Sequence, residues 1–346
     1  MTHSFRKTTA ILLLLIGCVT ILATQHPILA SSATSNDYPL LYNKLRDSVL
    51  RAVIAEIDGM SSLTASLPQP NPEVTKIQET FVRSLERLDS LFDEGKINPL
   101  AGDLITESTP TMLIPSARKS MRVGYFPVAA DPLHWAHLLT AFEAMAQLAL
   151  DKVVFIVAGA DPRKPELTEV NVRHTMAKNA LNMFGDYCRY SDIAMQGNDD
   201  GETNVFRELK RNPHLAITAF YLVGSDHFNW QVSKNGKLQD DTIKKLEDNM
   251  NKAELGFAQF KDHHHLVAAF ISRNRSEISE SKLAEMKSLI SYDIEVVVPT
   301  LSYSSTQIRE YFQSKSPRGQ EPLAYLPLRT YGDILAHGLY GKGRQP

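Results

Sequence analysis

"GYFPVAADPLHWAHLL", residues 124–139, decides how this chain folds. Its first half continues "MRV" into a strand-like run. "PVAADP" then turns the chain, and from about His134 the apolar residues recur at helical spacing. That transition puts His134 and His137 on one face at a helix start. A helix start already carries unpaired N–H groups and partial positive charge, so two imidazoles there make an anion site, most naturally for phosphates.

The same grammar repeats downstream. "KVVFIVAG", "AITAFYLVGSD", "HLVAAFISR" and "IEVVVP" are short β-rich runs, separated by helical patterns such as "NVRHTMAKNALNMF". Alternation of this kind predicts an α/β fold, a Rossmann-like doubly wound parallel sheet, over residues 121–346. Ligands on such sheets bind beyond the carboxyl ends of the strands.

Three more clusters fall at those ends. "VAGADPRKP" places Lys164 and Arg163 after a strand, with a solvated loop as the alternative reading. In "YLVGSDHFNW", Gly224 permits close backbone approach, Asp226 can accept hydrogen bonds from a ribose or an amide, and Trp230 offers a flat face for a ring. A core role is the alternative for Trp230. In "SYSSTQIREYF", Ser304, Ser305 and Thr306 cap a helix whose first turn carries Arg309, and hydroxyls, free amides and a guanidinium together suit a phosphate. "DHHH" at 262–265 is not read as a metal site, because neighbouring strand residues point to opposite faces.

The rest of the chain is organised differently. Arg6 and Lys7 precede the apolar run "TTAILLLLIGCVTILA", so residues 1–30 read as a targeting segment. It could be a cleaved signal peptide, a lipoprotein signal ending at Cys18, or a membrane anchor; each places the protein at or beyond a membrane, the bacterial envelope in particular, with a cytoplasmic function kept open. Residues 38–94 predict a helical hairpin, with Leu41, Leu45, Val49, Val53 and Ile57 on one stripe and Val74, Ile77, Phe81, Leu85, Leu88 and Leu91 on another, divided by "PQPNP". It reads as an extension separable from the α/β domain, with residues 95–120 as linker or wrapping segment. A net charge of −2, from 37 basic and 39 acidic residues, lacks the basic excess of a nucleic-acid binder. The two cysteines, Cys18 and Cys188, imply no internal disulfide.

Two anion-binding helix starts on one sheet, with a ring platform between them, describe a site for a nucleoside triphosphate and a second phosphorylated ligand. "GYF…DPLHWAH" resembles the first motif of the HxGH nucleotidyltransferase superfamily, and "SSTQIR" resembles its closing motif. "VAGADPRKP", "VRHTMAKNAL", "ETNVFREL", "GSDHFNW" and "LPLRTYGDILAHGLY" follow the order found in nicotinate/nicotinamide mononucleotide adenylyltransferases, so the resemblance covers about residues 121–341.

The resemblance implies adenylyl transfer from ATP, with Mg2+ accompanying the nucleotide, to a pyridine mononucleotide. It implies His134, His137 and Arg309 as catalytic, and Gly124, Phe126, Lys164, Gly224, Asp226, Trp230, Ser304, Ser305 and Thr306 as ligand-binding. Transfer to another phosphorylated acceptor, and a membrane-tethered, non-catalytic nucleotide-binding protein, are the rival readings. Two departures stand out: "PVAA" separates Phe126 from Asp131, lengthening the first loop, and Ala136 replaces a glycine between the histidines.

Overall fold

Buried on both faces, the apolar runs form the parallel sheet that such runs predict. The computed structural model describes residues 37–64, 71–101, 104–108, 120–161, 164–197, 199–224, 241–251, 264–272, 280–288, 290, 292–301, 303–313 and 322–341. Two helices come first, α1 (Tyr38–Thr64) and α2 (Pro72–Asp93). The α/β part then runs β1 (Ser120–Val128), α3 (Trp135–Leu148), β2 (Lys152–Val157), α4 (Val170–Leu181), β3 (Cys188–Ser191), α5 (Gly201–Arg211) and β4 (Ala216–Gly224). It continues through α6 (Asp241–Asn251), β5 (His264–Ile271), α7 (Glu280–Lys287), β6 (Asp293–Val297), α8 (Ser305–Gln313) and α9 (Leu328–His337). All six strands are parallel, in the order β3-β2-β1-β4-β5-β6.

Strand alternation divides the core into two layers. Phe126, Val128, Phe155 and Phe220 face α3 and α4, whereas Val123, Tyr125, Ile156 and Tyr221 face α5. Helices α1 and α2 belong to the first layer: Val53, Ile57, Ile77, Phe81 and Leu88 are fully buried there. Residues 39–346 accordingly form one compact unit. The connection after α2 is tied down by two adjacent residues, since Asp151 accepts from the Asn98 backbone N–H at 2.6 Å and Lys152 donates to the Pro99 carbonyl. Further on, Asn212 exchanges two hydrogen bonds with the backbone of Ile105, at 2.7 and 3.0 Å.

Register explains where the sheet opens. The β1–β4 pairing ends at Tyr125↔Tyr221, but β1 stays paired with β2 through Val128↔Val157, and β4 stays with β5 through Gly224↔Ile271. The carboxyl ends of β1 and β4 therefore part, at the point where strand order reverses. Pro127, which has no N–H to give to a ladder, sits just past the last β1–β4 pair. The "PVAA" departure is thus only half a loop: Pro127 and Val128 lengthen the strand, and Ala129 and Ala130 make the turn. Helix α5 starts against the opening, so close that a Cβ on Gly201 would lie 2.8 Å from Pro127 Cβ.

Residues 1–36 lie outside the described residues, and with them every version of the targeting segment. Among the described residues no helix is long and apolar enough to cross a membrane.

Candidate functional site: two helix starts at the open edge of the sheet

His134 is the N-cap of α3, with extended backbone (φ −138°, ψ 170°), and His137 is the third residue of the helix. Their rings stack at 3.7 Å between centroids. His134 is buried at 1 % exposure, with Tyr303 packed at 5.2 Å on its ring. His137 is half-buried and meets the Phe126 ring edge-on at 6.1 Å. Of the two rings, that of His137 is the more exposed.

The start of α8 is docked on this loop. Ser304 caps it reciprocally with Gln307: the Ser304 hydroxyl accepts from the Gln307 backbone N–H at 3.3 Å, and the Gln307 side-chain Oε1 accepts from the Ser304 N–H at 2.8 Å. Ser305 donates to the Pro132 carbonyl at 3.0 Å. Arg309 donates to the Asp131 carbonyl at 2.6 Å and to Thr306 Oγ1 at 3.2 Å. Two positive helix ends, separated by about 170 residues of sequence, are thereby held side by side.

The other residues predicted from sequence fall in different places. Phe126 lies on the first strand behind His137. Gly124 is mid-strand, about 13 Å before the end of β1 at 3.3 Å per residue; a Cβ there would meet Leu150, Val153 and Leu222 at 2.9–3.2 Å, which makes it a packing position in the core. Lys164 is exposed in a turn beyond β2, and Gly224 ends β4. Arg163, Asp226 and Trp230 lie outside the described residues.

Sequence reasoning missed the residue that ties the loops together. Arg173, 1 % exposed, donates from Nε to Thr168 O at 2.7 Å, from Nη1 to Ala129 O at 2.7 Å and Ala158 O at 2.9 Å, and from Nη2 to Gly159 O at 2.8 Å. One guanidinium thus binds the β1–α3 and β2–α4 loops into one rim. Burial lowers the pKa of this guanidinium, and neighbouring Asp131 opposes the shift. A signal was present: Arg173 stands on the buried stripe of α4 with Met176, Ala177 and Ala180, where a charge requires fixed partners. Its neighbour His174 hydrogen-bonds Tyr190 Oη at 2.6 Å, and burial pushes its pKa down to about 4.

No family model matches the chain. A probable nicotinate-nucleotide adenylyltransferase of Clostridium tetani is 28 % identical over 212 residues, which is 61 % of this chain and 94 % of that protein. Another, from Geobacter, is 34 % identical over 116 residues, covering 32 % of this chain and 51 % of its own length. Among solved structures, Plasmodium falciparum nicotinic acid mononucleotide adenylyltransferase in complex with NaAD aligns at TM-score 0.46 and 16 % identity, over 64 % of this chain and 97 % of that one.

The sequence relatives support the HxGH-type nucleotidyltransferase superfamily, and the split parallel sheet agrees with that class. Within that superfamily it is similar to the nicotinate-nucleotide adenylyltransferases.

Proposed function

We propose that the chain transfers the adenylyl group of ATP to the 5′-phosphate of nicotinate mononucleotide, forming nicotinate adenine dinucleotide and pyrophosphate. The observation that carries this reading is the docking of the α8 start onto the β1–α3 loop through Ser305–Pro132 and Arg309–Asp131, which turns two separate anion sites into one cradle. The names of the sequence relatives supply the acceptor.

An ionised phosphate is already a nucleophile, so the reaction needs no base from the protein. The acceptor oxygen bonds to the α-phosphorus, the bond to the β-phosphate bridging oxygen breaks, and pyrophosphate leaves with the electron pair. The protein's part is positioning and charge stabilisation. His137, at the rim, is assigned to the phosphoryl group being transferred, and the deeper His134 backs it. The α8 amides with Ser304, Ser305, Thr306 and Arg309 hold the β- and γ-phosphates, Lys164 assists from the opposite loop, and Asp226 and Trp230 are assigned to the pyridine side. Mg2+ enters with ATP as part of the substrate. Such an ion is held largely by substrate phosphates and water.

The test is pyrophosphate release by the full chain with ATP, Mg2+ and a panel of phosphorylated acceptors. Release with nicotinate mononucleotide above all others is expected. Release with a different acceptor alone would replace the substrate assignment, and ATP binding with no release would leave a nucleotide-binding protein. Attachment to a membrane through residues 1–30 is a separate proposal, read by the intact mass of the mature chain and by its fractionation.

A further inference from the structure

Four segments distant in sequence meet at one buried carboxylate. Asp131, 0 % exposed, accepts a hydrogen bond from Tyr340 Oη on Oδ1 at 2.6 Å. Its Oδ2 faces the Thr168 N–H at 3.4 Å and Arg309 Nη1 at 3.7 Å, while that same nitrogen donates to the Asp131 carbonyl at 2.6 Å. Tyr340 lies three residues beyond α9, with its ring 6.0 Å from that of Phe312. Backbone conformation marks both sides of this contact. Ala130, which precedes Asp131, and Tyr340 itself are left-handed without being glycine, at φ 53° and 60°. Such residues persist only where their surroundings over-determine them, and they gather at functional sites.

We propose that Tyr340 is a positioning residue for nucleotide binding: by occupying Asp131 Oδ1 it keeps the carboxylate from closing onto Arg309, leaving the outer N–H groups of that guanidinium for the triphosphate. This rests on the reading of Arg309 as a phosphate ligand. A buried carboxylate needs its partners. Deprived of the tyrosine hydroxyl, the Asp131 carboxylate is free to close the 3.7 Å gap to the charged donor Arg309, and a two-pronged arginine–carboxylate pair competes directly with phosphate for the same fork. Tyr340 thus acts on the nucleotide through Asp131 and Arg309, without touching it.

The experiment compares ATP affinity by calorimetry in wild type, Tyr340→Phe, Asp131→Asn and the double variant, all as full chains, with kcat measured at saturating ATP. Tyr340→Phe keeps the ring and is expected to weaken ATP about tenfold, the scale of one hydrogen bond to a charged group, while kcat changes little. The double variant has no carboxylate to capture Arg309 and is expected to recover wild-type affinity within about threefold. Should Tyr340→Phe fail to fold, Asp131→Asn alone decides: ATP binding at least as tight as in wild type supports the proposal, and weaker binding overturns it. Unchanged affinity in Tyr340→Phe, or a double variant as weak as the single, also overturns it. ATP binding absent from the wild type would instead sink the reading of the site itself.

Discussion

Replacing Arg173 with methionine removes the four hydrogen bonds that join the β1–α3 and β2–α4 loops, at 2.7–2.9 Å, from a residue 1 % exposed. Bonds to a charged donor are worth about 1.5–3 kcal/mol each, but they are not additive, and losing the buried cation also removes its desolvation cost. A net loss of about 3–5 kcal/mol is expected, the range for stripping one partner from a buried charged network. That is a large share of the ~5–15 kcal/mol stability of a domain. Lysine at 173 keeps the charge but not the fork, and about half the loss is expected. Urea unfolding followed by tryptophan fluorescence reads the effect, and of the two tryptophans Trp135 is buried beside His134. A methionine variant within about 1 kcal/mol of wild type would refute the account of Arg173 as the tie between loops.

Other perturbations test different parts of the structure. Glu208 is fully buried against Ser191, and burial pushes its pKa up to about 8. Its folded value lies above the unfolded one, so its stabilising contribution is present at acid pH and is lost as pH rises toward 8. The window from about pH 6.5 to 8 isolates it, because the contribution of His174, folded value about 4, varies only below 6.5, and that of Lys152, folded value about 8, is nearly constant below 8 and turns favourable only as pH rises beyond it and the buried ammonium loses its charge. Unfolding free energy of wild type should fall by about 2 kcal/mol across that window, and Glu208→Gln should flatten the slope; an unchanged slope would count against this assignment. Removing everything before residue 118 takes away Phe81 and uncovers Phe142 and its buried neighbours, and loss of cooperative unfolding in the remaining residues 118–346 is expected by calorimetry. A sharp transition there would establish the helical pair as a separable extension. Arg309→Ala should raise the KM for ATP as well as lower kcat, because the guanidinium grips phosphates before the chemistry begins.

Much of this architecture was legible because period is a local signal. The strand runs and the stripes of α1 and α2 each carry their own pattern, and their alternation predicts the doubly wound parallel sheet. His134, His137 and the residues 304–309 could be found because helix starts announce themselves by residue type. Gly124 shows the limit: a glycine beside a motif can serve ligand approach or packing, and only the position of Leu150, some 26 residues on, distinguishes them. The contacts of Arg173 and Tyr340 could not be read for the same reason, since their partners are carbonyls and a carboxylate brought near by the sheet. The burial of α1 and α2 in the shared core is likewise a tertiary fact, as an amphipathic stripe shows that a face is covered but not by what.

Transfer of label from ATP marked at the α-phosphate tests the central claim most directly. With nicotinate mononucleotide and Mg2+, the full chain should pass that label one-for-one into the dinucleotide and release unlabelled pyrophosphate. His137→Ala, folded as judged by its thermal melt, should do so about 10²- to 10³-fold more slowly, the usual cost of one charge-stabilising donor. No labelled dinucleotide from wild type at saturating ATP, or an undiminished rate without His137, would contradict the account.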